Sequence, residues 1–532
     1  MKRKLLMKRG QRKLPRVPRS HYDFFMQELR TLLTEDGSFK AAYLAAQIES
    51  KLSDAPGGAS DEVRRERAIA KWLATEERNR ETNIRLMFAD EEDFLFLNDT
   101  GFPVSARDVI TWCQKEISRL LGRDNPAEWR GSFSGGASTS LNRGVGQIPR
   151  KYQAGKDITP SAIQHYIHLS QSAMGMPRDL NLVDGNVMFT VPKTSEIDRC
   201  ACKEPDLNMY CQKAVGDFIR RRLKRVGIDL NDQTVNQELA RIGSLSGELA
   251  TIDLSSASDS VTTQLVIELL PFEWSSLLLD LRSPITYIDG VAHVNEMISS
   301  MGNAFTFELE SLVFWALVRA CAYFTRTSGR ISVYGDDIIC PSGLKDAVEA
   351  TLEFFGFRLN QSKSFWEGDF RESCGKHWFA GLEVTPFYVK KTPSTVSDWC
   401  LLLNSLRKWA YDTSAHMCDP RYYALWELFS EIVPRPLHGG RDITSRSDLV
   451  VPNTKCLARI QRVKRPDLAT RDEFQYGAYL WWLDATQVRS AVISEPFTTN
   501  TFEVEGVEVY GRPRNHYWNV GVPTFPKEHG IE

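Results

Sequence analysis

The sequence predicts a mixed α/β (α+β) protein in which short strands and long amphipathic helices share a large core. Three observations carry this prediction. In residues 331–341, ISVYGDDIICP, the strand formers Ile331, Val333, Ile338 and Ile339 flank Gly335-Asp336, a tight-turn pair. Two short antiparallel strands are therefore expected, with Asp336 and Asp337 on the turn. Residues 249–252 form a second short apolar run that ends at Asp253. Helical spacing of apolar residues recurs over 22–33, 39–52, 106–121, 212–226, 305–317, 344–355, 399–409 and 422–432.

A chain of 532 residues has room for two to four structural regions. With 42% hydrophobic and 25% charged residues it is not a disordered chain. The net charge of -2 hides an asymmetry, because nine Lys and Arg from Lys2 to Arg19 precede the first acid, Asp23. Such an arm is a solvated tail or a nucleic-acid contact. It has no apolar core of the secretory kind, and Pro15 and Pro18 would break an amphipathic targeting helix. The ten cysteines contain no CxxC pair, and Cys200-x-Cys202 lacks a matching ligand pair, so free thiols in a reducing cytoplasm are expected rather than zinc. The longest apolar run, residues 312–324, is interrupted by Arg319 and is too short to span a bilayer. A soluble protein is expected.

In chain order, helices over 22–33 and 39–52 are followed by the breaker Asp54-Ala55-Pro56-Gly57-Gly58, and 61–85 reads as a highly charged helix. Residues 133–138 form a Gly-rich loop with no Walker-type Lys-Ser/Thr after it, so a P-loop is rejected. Residues 186–192 are strand-like and lead into Lys193, Arg199 and Lys203, three cations suited to a triphosphate or an RNA backbone. The helix over 212–226 turns Phe218, Ile219, Leu223 and Val226 inward and presents Arg220, Arg221, Arg222, Lys224 and Arg225 with no acid among them, which favours phosphate contacts. After Asp253 comes a small-residue loop, Ser255 to Ser258, closed by Asp259. Gly302, Thr306 and Glu310 are spaced to share one side of the apolar helix that follows. Residues 378–384 and 387–391 read as two more strands, and helical patterns dominate from Pro393 onward, including 476–483 with Trp481 and Trp482.

A bare Gly-Asp-Asp turn is a weak signal, since most are solvated turns. Adjacent carboxylates on a buried hairpin repel each other unless a cation sits with them, and an oxygen-seeking divalent ion such as Mg²⁺ is the natural candidate. A strand-end Asp253 placed before the Asp336-Asp337 hairpin is the layout of two-metal nucleotidyl transfer, in which two cations roughly 3.5–4 Å apart serve the attacking and leaving oxygens. Lys193, Arg199 and Lys203 would hold the triphosphate, and Lys363 would protonate the departing pyrophosphate.

The runs VPKTSEIDRCACKEPDLNMY, IDLNDQTVNQ, LATIDLSSASDS, SSMGNAFTFELESL, VYGDDIICPS and FRESCGKHW closely resemble the replicase β-subunit of the leviviruses, small positive-strand RNA bacteriophages. The resemblance is dense over 191–386 and fainter before Ser132 and after Asp419, although the closing Pro523–Pro526 also looks familiar. It implies an RNA-directed RNA polymerase that copies a viral genome, with the right-hand fold of fingers, palm and thumb. The expected division is a basic arm over 1–20, fingers over 21–245, palm over 246–390 (catalytic region about 239–371) and thumb with C-terminal region over 391–532. Carried over residue by residue, Asp253, Asp336 and Asp337 match the family's Mg²⁺ ligands, with Mn²⁺ or Ca²⁺ as substitutes. Ser258, Asp259, Gly302 and Asn303 are expected near the nucleotide, with Glu310 standing where many viral polymerases carry a ribose-sensing Asn. Arg220, Arg221, Lys224 and Arg225 are expected to bind RNA. The resemblance also implies host partners, translation elongation factors Tu and Ts and in some members a ribosomal RNA-binding protein, in the bacterial cytoplasm.

Two rivals are weighed against this. A reverse transcriptase shares the palm, but it needs a bulky residue against the ribose 2′-position, and Leu254 to Ser258 contains no aromatic. A non-catalytic RNA-binding protein would explain the basic segments but leave three well-placed aspartates without a role.

Overall fold

The computed structural model describes residues 16–122, 130–170, 179–412, 417–439 and 448–451, isolated positions between them, and three short strands at Arg462–Val463, Asn500–Val504 and Val507–Gly511. The basic arm up to residue 15, the Trp481-Trp482 helix and the Pro523–Pro526 run lie outside the described residues. The described chain divides into two compact units, one of residues 16–58 and 384–451 and one of residues 59–383.

The first unit is helical. Its helices Arg19–Asp36, Phe39–Gln47, Val396–Trp409 and Pro420–Ser430 meet at a core of Phe25, Leu29, Trp399, Leu403 and Phe429. Phe25 meets Trp399 edge-on at 5.9 Å, and Trp399 stacks on Phe429 at 5.6 Å, the offset and T-shaped arrangements that aromatic quadrupoles prefer. The N-terminal helices, expected among the fingers, thus pack with the C-terminal helices. Residues 387–391 are not the expected strand. Their backbone pairs with the turn after the second helix, through Val389 N–H to the Ile48 carbonyl and Ser53 N–H to the Lys390 carbonyl, and among the described residues no partner strand completes a ladder.

The second unit carries the sequence motifs. Helix α1 (Asp61–Met87) starts at Ser60, whose hydroxyl accepts from Val63 N–H, with Asp61 and Glu62 at the positive end of the helix dipole. Helix α2 (Ala106–Leu121) opens with a capping box between Ser105 and Asp108. Strands β1 (Gly185–Pro192) and β2 (Asp198–Lys203) form a hairpin, continued by helix α3 (Asp206–Arg225) and helix α4 (Thr234–Ser246). Strand β3 (Leu249–Ile252) follows, and β4 (Ile285–Ile288) and β5 (Val291–Val294) complete a four-stranded sheet in the order β5-β4-β1-β2. Helix α5 (Thr306–Phe324) is mostly apolar and buried from Thr306 to Cys321 except at Phe307 and Arg319, with Glu308 and Glu310 as buried acids in its first turns. Strands β6 (Ser332–Tyr334) and β7 (Asp337–Pro341) pair with β3 in an antiparallel sheet ordered β6-β7-β3, and β8 (Phe370–Ser373) and β9 (Lys376–Phe379) form a hairpin beyond it.

Two local expectations are corrected. Val226 is 42% exposed because α3 ends at Arg225, one residue before it. Gly302 lies outside α5, in a loop with φ 125°, where a Cβ would stand 2.1 Å from the Cys202 carbonyl oxygen. It permits close backbone contact with β2 and does not share a helix face with Thr306 and Glu310.

Candidate active site

The site is built on the β6-β7-β3 sheet. Tyr334 pairs with Asp337, leaving Gly335 and Asp336 as a two-residue turn, with Gly335 at φ 62° in the first position, the pattern of a type II′ hairpin. Asp336 therefore holds the tip, while Asp337 is the first residue of β7 rather than a turn residue. On the neighbouring strand Ile252 pairs with Ile338, so one step further Asp253 and Asp337 come side by side, roughly 5 Å apart at Cβ by ordinary ladder geometry.

Each aspartate is held differently. Asp253 accepts from the Asn360 side-chain amide at 2.7 Å, its carbonyl accepts from Asn360 N–H at 2.9 Å, and its own N–H donates to the Ser364 hydroxyl at 3.2 Å. Asp337 accepts from Cys374 N–H at 3.1 Å and the Ser373 hydroxyl at 3.2 Å, both at the turn end of β8. Burial, with Asp336 and Asp253 close by, pushes its carboxyl up to about 7 despite those donors. Asp336 reaches solvent at the tip, yet the protein crowded around it and the nearby Asp253 hold its carboxyl above the usual range.

Further acids surround these three. Burial and then Glu76 push Asp259 up to about 7. Burial pushes Glu310 up to about 8, with Asp336, Asp259 and Glu308 adding repulsion, while Glu310 accepts from the Ser258 hydroxyl at 2.7 Å. Ser256, in the loop between, has φ 57°, a conformation an L side chain adopts only under local constraint.

The cations converge on the same place. Lys193 is held below the usual lysine range by burial and by Arg199, Lys71 and Lys363, while Asp253 opposes that shift. Arg199 and Lys363 stabilise ionised Asp336, and Arg199, Lys71 and Lys193 do so for Asp259. Lys363 also lies 3.7 Å from Glu372. Lys203 instead lies over the Phe189 ring, 5.9 Å from its centre. Asn303 is buried, its side-chain oxygen accepting from Phe305 N–H, while its amide nitrogen has no partner among the described residues.

Sequence reasoning missed Lys71, Asn360 and Glu76. Lys71 is one charge among many on α1, and nothing in its spacing marks it. Asn360 opens the Asn-Gln-Ser-Lys segment that ends at Lys363, so its place three residues before that lysine is the signal that could have marked it.

Two of the arginine-helix candidates are committed within the protein. Arg220 pairs with the buried Glu308 at 2.6 Å and donates to the Leu230 carbonyl, and Lys224 pairs with Asp229 at 2.5 Å. Arg221 and Arg225 stay exposed.

An all-oxygen set of carboxylates that raise one another's pKa suits a hard divalent cation, which would relieve the repulsion and restore the ionised forms. Among the described residues, no three His, Cys, Asp or Glu side chains are gathered closely enough to form a metal cage.

A model of the family described as RNA replicase, beta-chain, matches residues 21–482. This chain belongs to that family. The replicase chain is 38% identical over 517 residues to the RNA-directed RNA polymerase beta chain of Enterobacteria phage fr, spanning 92% of this chain and 91% of that one. It is 38% identical over 522 residues to the corresponding chain of Escherichia phage MS2, with 92% and 91% coverage. Against the RNA-directed RNA polymerase subunit beta of Escherichia virus Qbeta it is 40% identical over 405 residues, 75% of this chain and 67% of that one. The replicase chain is an RNA-directed RNA polymerase, and polymerases of this family generally use divalent metal ions. Template RNA and nucleoside triphosphates are its expected substrates. A solved structure described as BmCPV RNA-dependent RNA polymerase at elongation state aligns with TM-score 0.40 and 10% identity over 64% of this chain and 34% of that one, so the chain spans about a third of its length. Among the described residues no helix is long and apolar enough to cross a membrane.

Proposed function

We propose that this replicase chain copies a phage RNA genome through a negative strand, at a site where Asp253 and Asp336 are the principal holders of two Mg²⁺ ions. The observation that carries this is the β6-β7-β3 sheet, which sets the strand-end Asp253 beside the Asp336-Asp337 hairpin while Lys193, Arg199 and Lys363 converge on them and Lys71 joins Lys193 and Arg199 beside Asp259. When bound, paired divalent ions acidify the attacking 3′-hydroxyl and neutralise the leaving pyrophosphate. The protein's own groups do the rest. Asn360 fixes the orientation of the Asp253 carboxylate. Lys193, Arg199 and Lys71 bind the triphosphate, and Lys363 delivers a proton to the departing pyrophosphate. Asp337, already engaged by Cys374 and Ser373, is the weaker metal ligand. Ser258, positioned by Glu310, and the unpartnered amide of Asn303 face the ribose, whose 2′-hydroxyl the small residues of 255–258 admit. Lys203 and Gly302 support the site through Phe189 and Cys202.

In this reading the palm is the unit around β3, β6 and β7, the fingers precede it from the same unit, and the thumb begins near residue 391. Elongation factors Tu and Ts and a ribosomal RNA-binding protein are proposed as host partners in the bacterial cytoplasm on the strength of the family resemblance. The test is primer-independent incorporation of ribonucleotides and deoxyribonucleotides on an RNA template, with Mg²⁺ present or chelated, by the chain alone and with bacterial lysate. Asp336→Asn is expected to abolish incorporation while leaving RNA affinity within a few-fold. Collapse of binding together with activity would make the aspartates structural and end the metal assignment.

A further inference from the structure

A second cationic site lies in the same unit, away from the aspartates. A cavity of about 380 Å³ is walled by Arg119 from α2, Arg222 and Arg225 from α3, and Arg319 from α5. Its volume falls at the lower end of the roughly 300–1,000 Å³ typical of ligand pockets. The floor is apolar, made by Leu120, Val226, Trp315 and Ile331. Among the described residues Glu116 is the one acid in the lining, and it is already engaged by Arg119 at 2.5 Å.

Among the described residues no carboxylate pairs with Arg222, Arg225 or Arg319. The Arg222 Nε is buried with no hydrogen-bond partner, while its guanidinium lies 4.7 Å from the Phe218 ring centre. Burial, then Arg225 and Arg221, hold Arg222 below the ordinary arginine range. Arg319 is the one exposed residue between Thr306 and Cys321 on an otherwise buried helix, and it opens onto this cavity. Like charges gathered over an apolar floor, with an unsatisfied donor, are costly unless an anion completes them.

The cavity is separate from the catalytic hairpin. Ile331 immediately precedes β6, at the end of that strand away from the Gly335-Asp336 turn, with three strand residues, about 10 Å, between them. Arg319 is nine residues past Glu310, about 13 Å along α5.

We infer that this cavity is an auxiliary binding site for single-stranded RNA, with guanidinium groups on successive phosphates and a base against the apolar floor. The choice of RNA rests on the polymerase reading, since template and product are the polyanions this chain handles. Guanidinium forks suit phosphate oxygens, and an apolar floor suits a base face better than it suits the side chains of an acidic peptide.

The direct test uses the full wild-type chain. Arginines are modified with a dicarbonyl reagent and mapped by peptide mass spectrometry, with and without a 12-nucleotide oligouridylate, and with poly-glutamate as the rival polyanion. Selective protection of Arg222, Arg225 and Arg319 by the oligonucleotide is expected. Equal reactivity with and without RNA overturns the proposal, and stronger protection by poly-glutamate overturns it in favour of an acidic protein partner. A triple variant, Arg222→Gln, Arg225→Gln and Arg319→Gln, is then compared with the wild type by fluorescence anisotropy of the labelled oligonucleotide across a salt series. Loss of three phosphate contacts flattens the log-log salt slope by about 2, at about 0.7 per contact for single strands. An unchanged slope overturns the proposal. Failure of the polymerase reading would appear separately, as absent incorporation by a wild type that still protects these arginines.

Discussion

Replacing Gly335 by alanine is the most informative single perturbation of the hairpin. The new Cβ would stand 2.4 Å from the Phe307 ring and 3.0 Å from a Glu310 carboxylate oxygen, on a backbone at φ 62°. Neither neighbour can retreat freely. Phe307 packs edge-on against Tyr334 at 5.0 Å, and the Gly335 N–H is tied to the Ser311 hydroxyl at 2.9 Å, so the turn is fastened to α5 beside the obstruction. A left-handed conformation costs an L-residue about 1–2 kcal/mol, and overpacking costs about 1–3 kcal/mol more. A loss of about 2–5 kcal/mol follows if the turn stays in place. If instead the tip yields by about 1 Å, Asp336 is misplaced relative to Asp253, and a displacement of that size costs about 100-fold in rate. Urea unfolding and single-nucleotide incorporation on an RNA template, measured on the same preparation, separate the two outcomes. Gly335→Ala combined with Phe307→Leu removes the ring edge and should recover part of the deficit, leaving the backbone strain. A Gly335→Ala protein with wild-type stability and wild-type incorporation would refute the turn geometry and the site built on it.

Asn360→Ala removes a 2.7 Å bond to the Asp253 carboxylate. Bonds to charged groups contribute about 1.5–3 kcal/mol, so kcat should fall about 10–100-fold with KM for the nucleotide little changed. Arg220→Gln strands Glu308, which is 4% exposed, and is expected to lower unfolding free energy by about 3 kcal/mol in urea titrations while leaving the salt slope of RNA binding in place. In metal-free buffer, Asp337 and Glu310 have folded pKa values of about 7 and about 8, above their unfolded values. The folded state then binds more protons than the unfolded state between about pH 4 and pH 8, so stability falls as pH rises through that window. Thermal melts should show this decline, Glu310→Gln should flatten it, and added Mg²⁺ should stabilise the protein more at pH 8 than at pH 5.5.

Much of this was legible in the sequence because the information is local. Strand formers around Gly335-Asp336, an apolar tetrapeptide ending at Asp253 and the apolar spacing of the long helices each act within a few residues. The arginine helix was legible as a charged segment but not in its use. Arg220 and Lys224 turn out to be paired with Glu308 and Asp229, while Arg222 and Arg225 meet Arg119 and Arg319. Charge on a helix face is visible in sequence, whereas its partner depends on which other helix arrives there.

The sequence by itself therefore determined the turn, the strand that ends at Asp253, the apolar helix that follows Gly302, and the family to which the chain belongs. Only the tertiary structure decided that Asn360 grips Asp253, that Asp337 is drawn toward Cys374 and Ser373, that Lys71 joins Lys193 and Arg199, and that Phe307 stands against Gly335. Those contacts join residues far apart in the chain, and they exist only where packing brings their elements together. Periodicity and turn chemistry are fixed by neighbours in sequence, but a carboxylate's partners are fixed by neighbours in space.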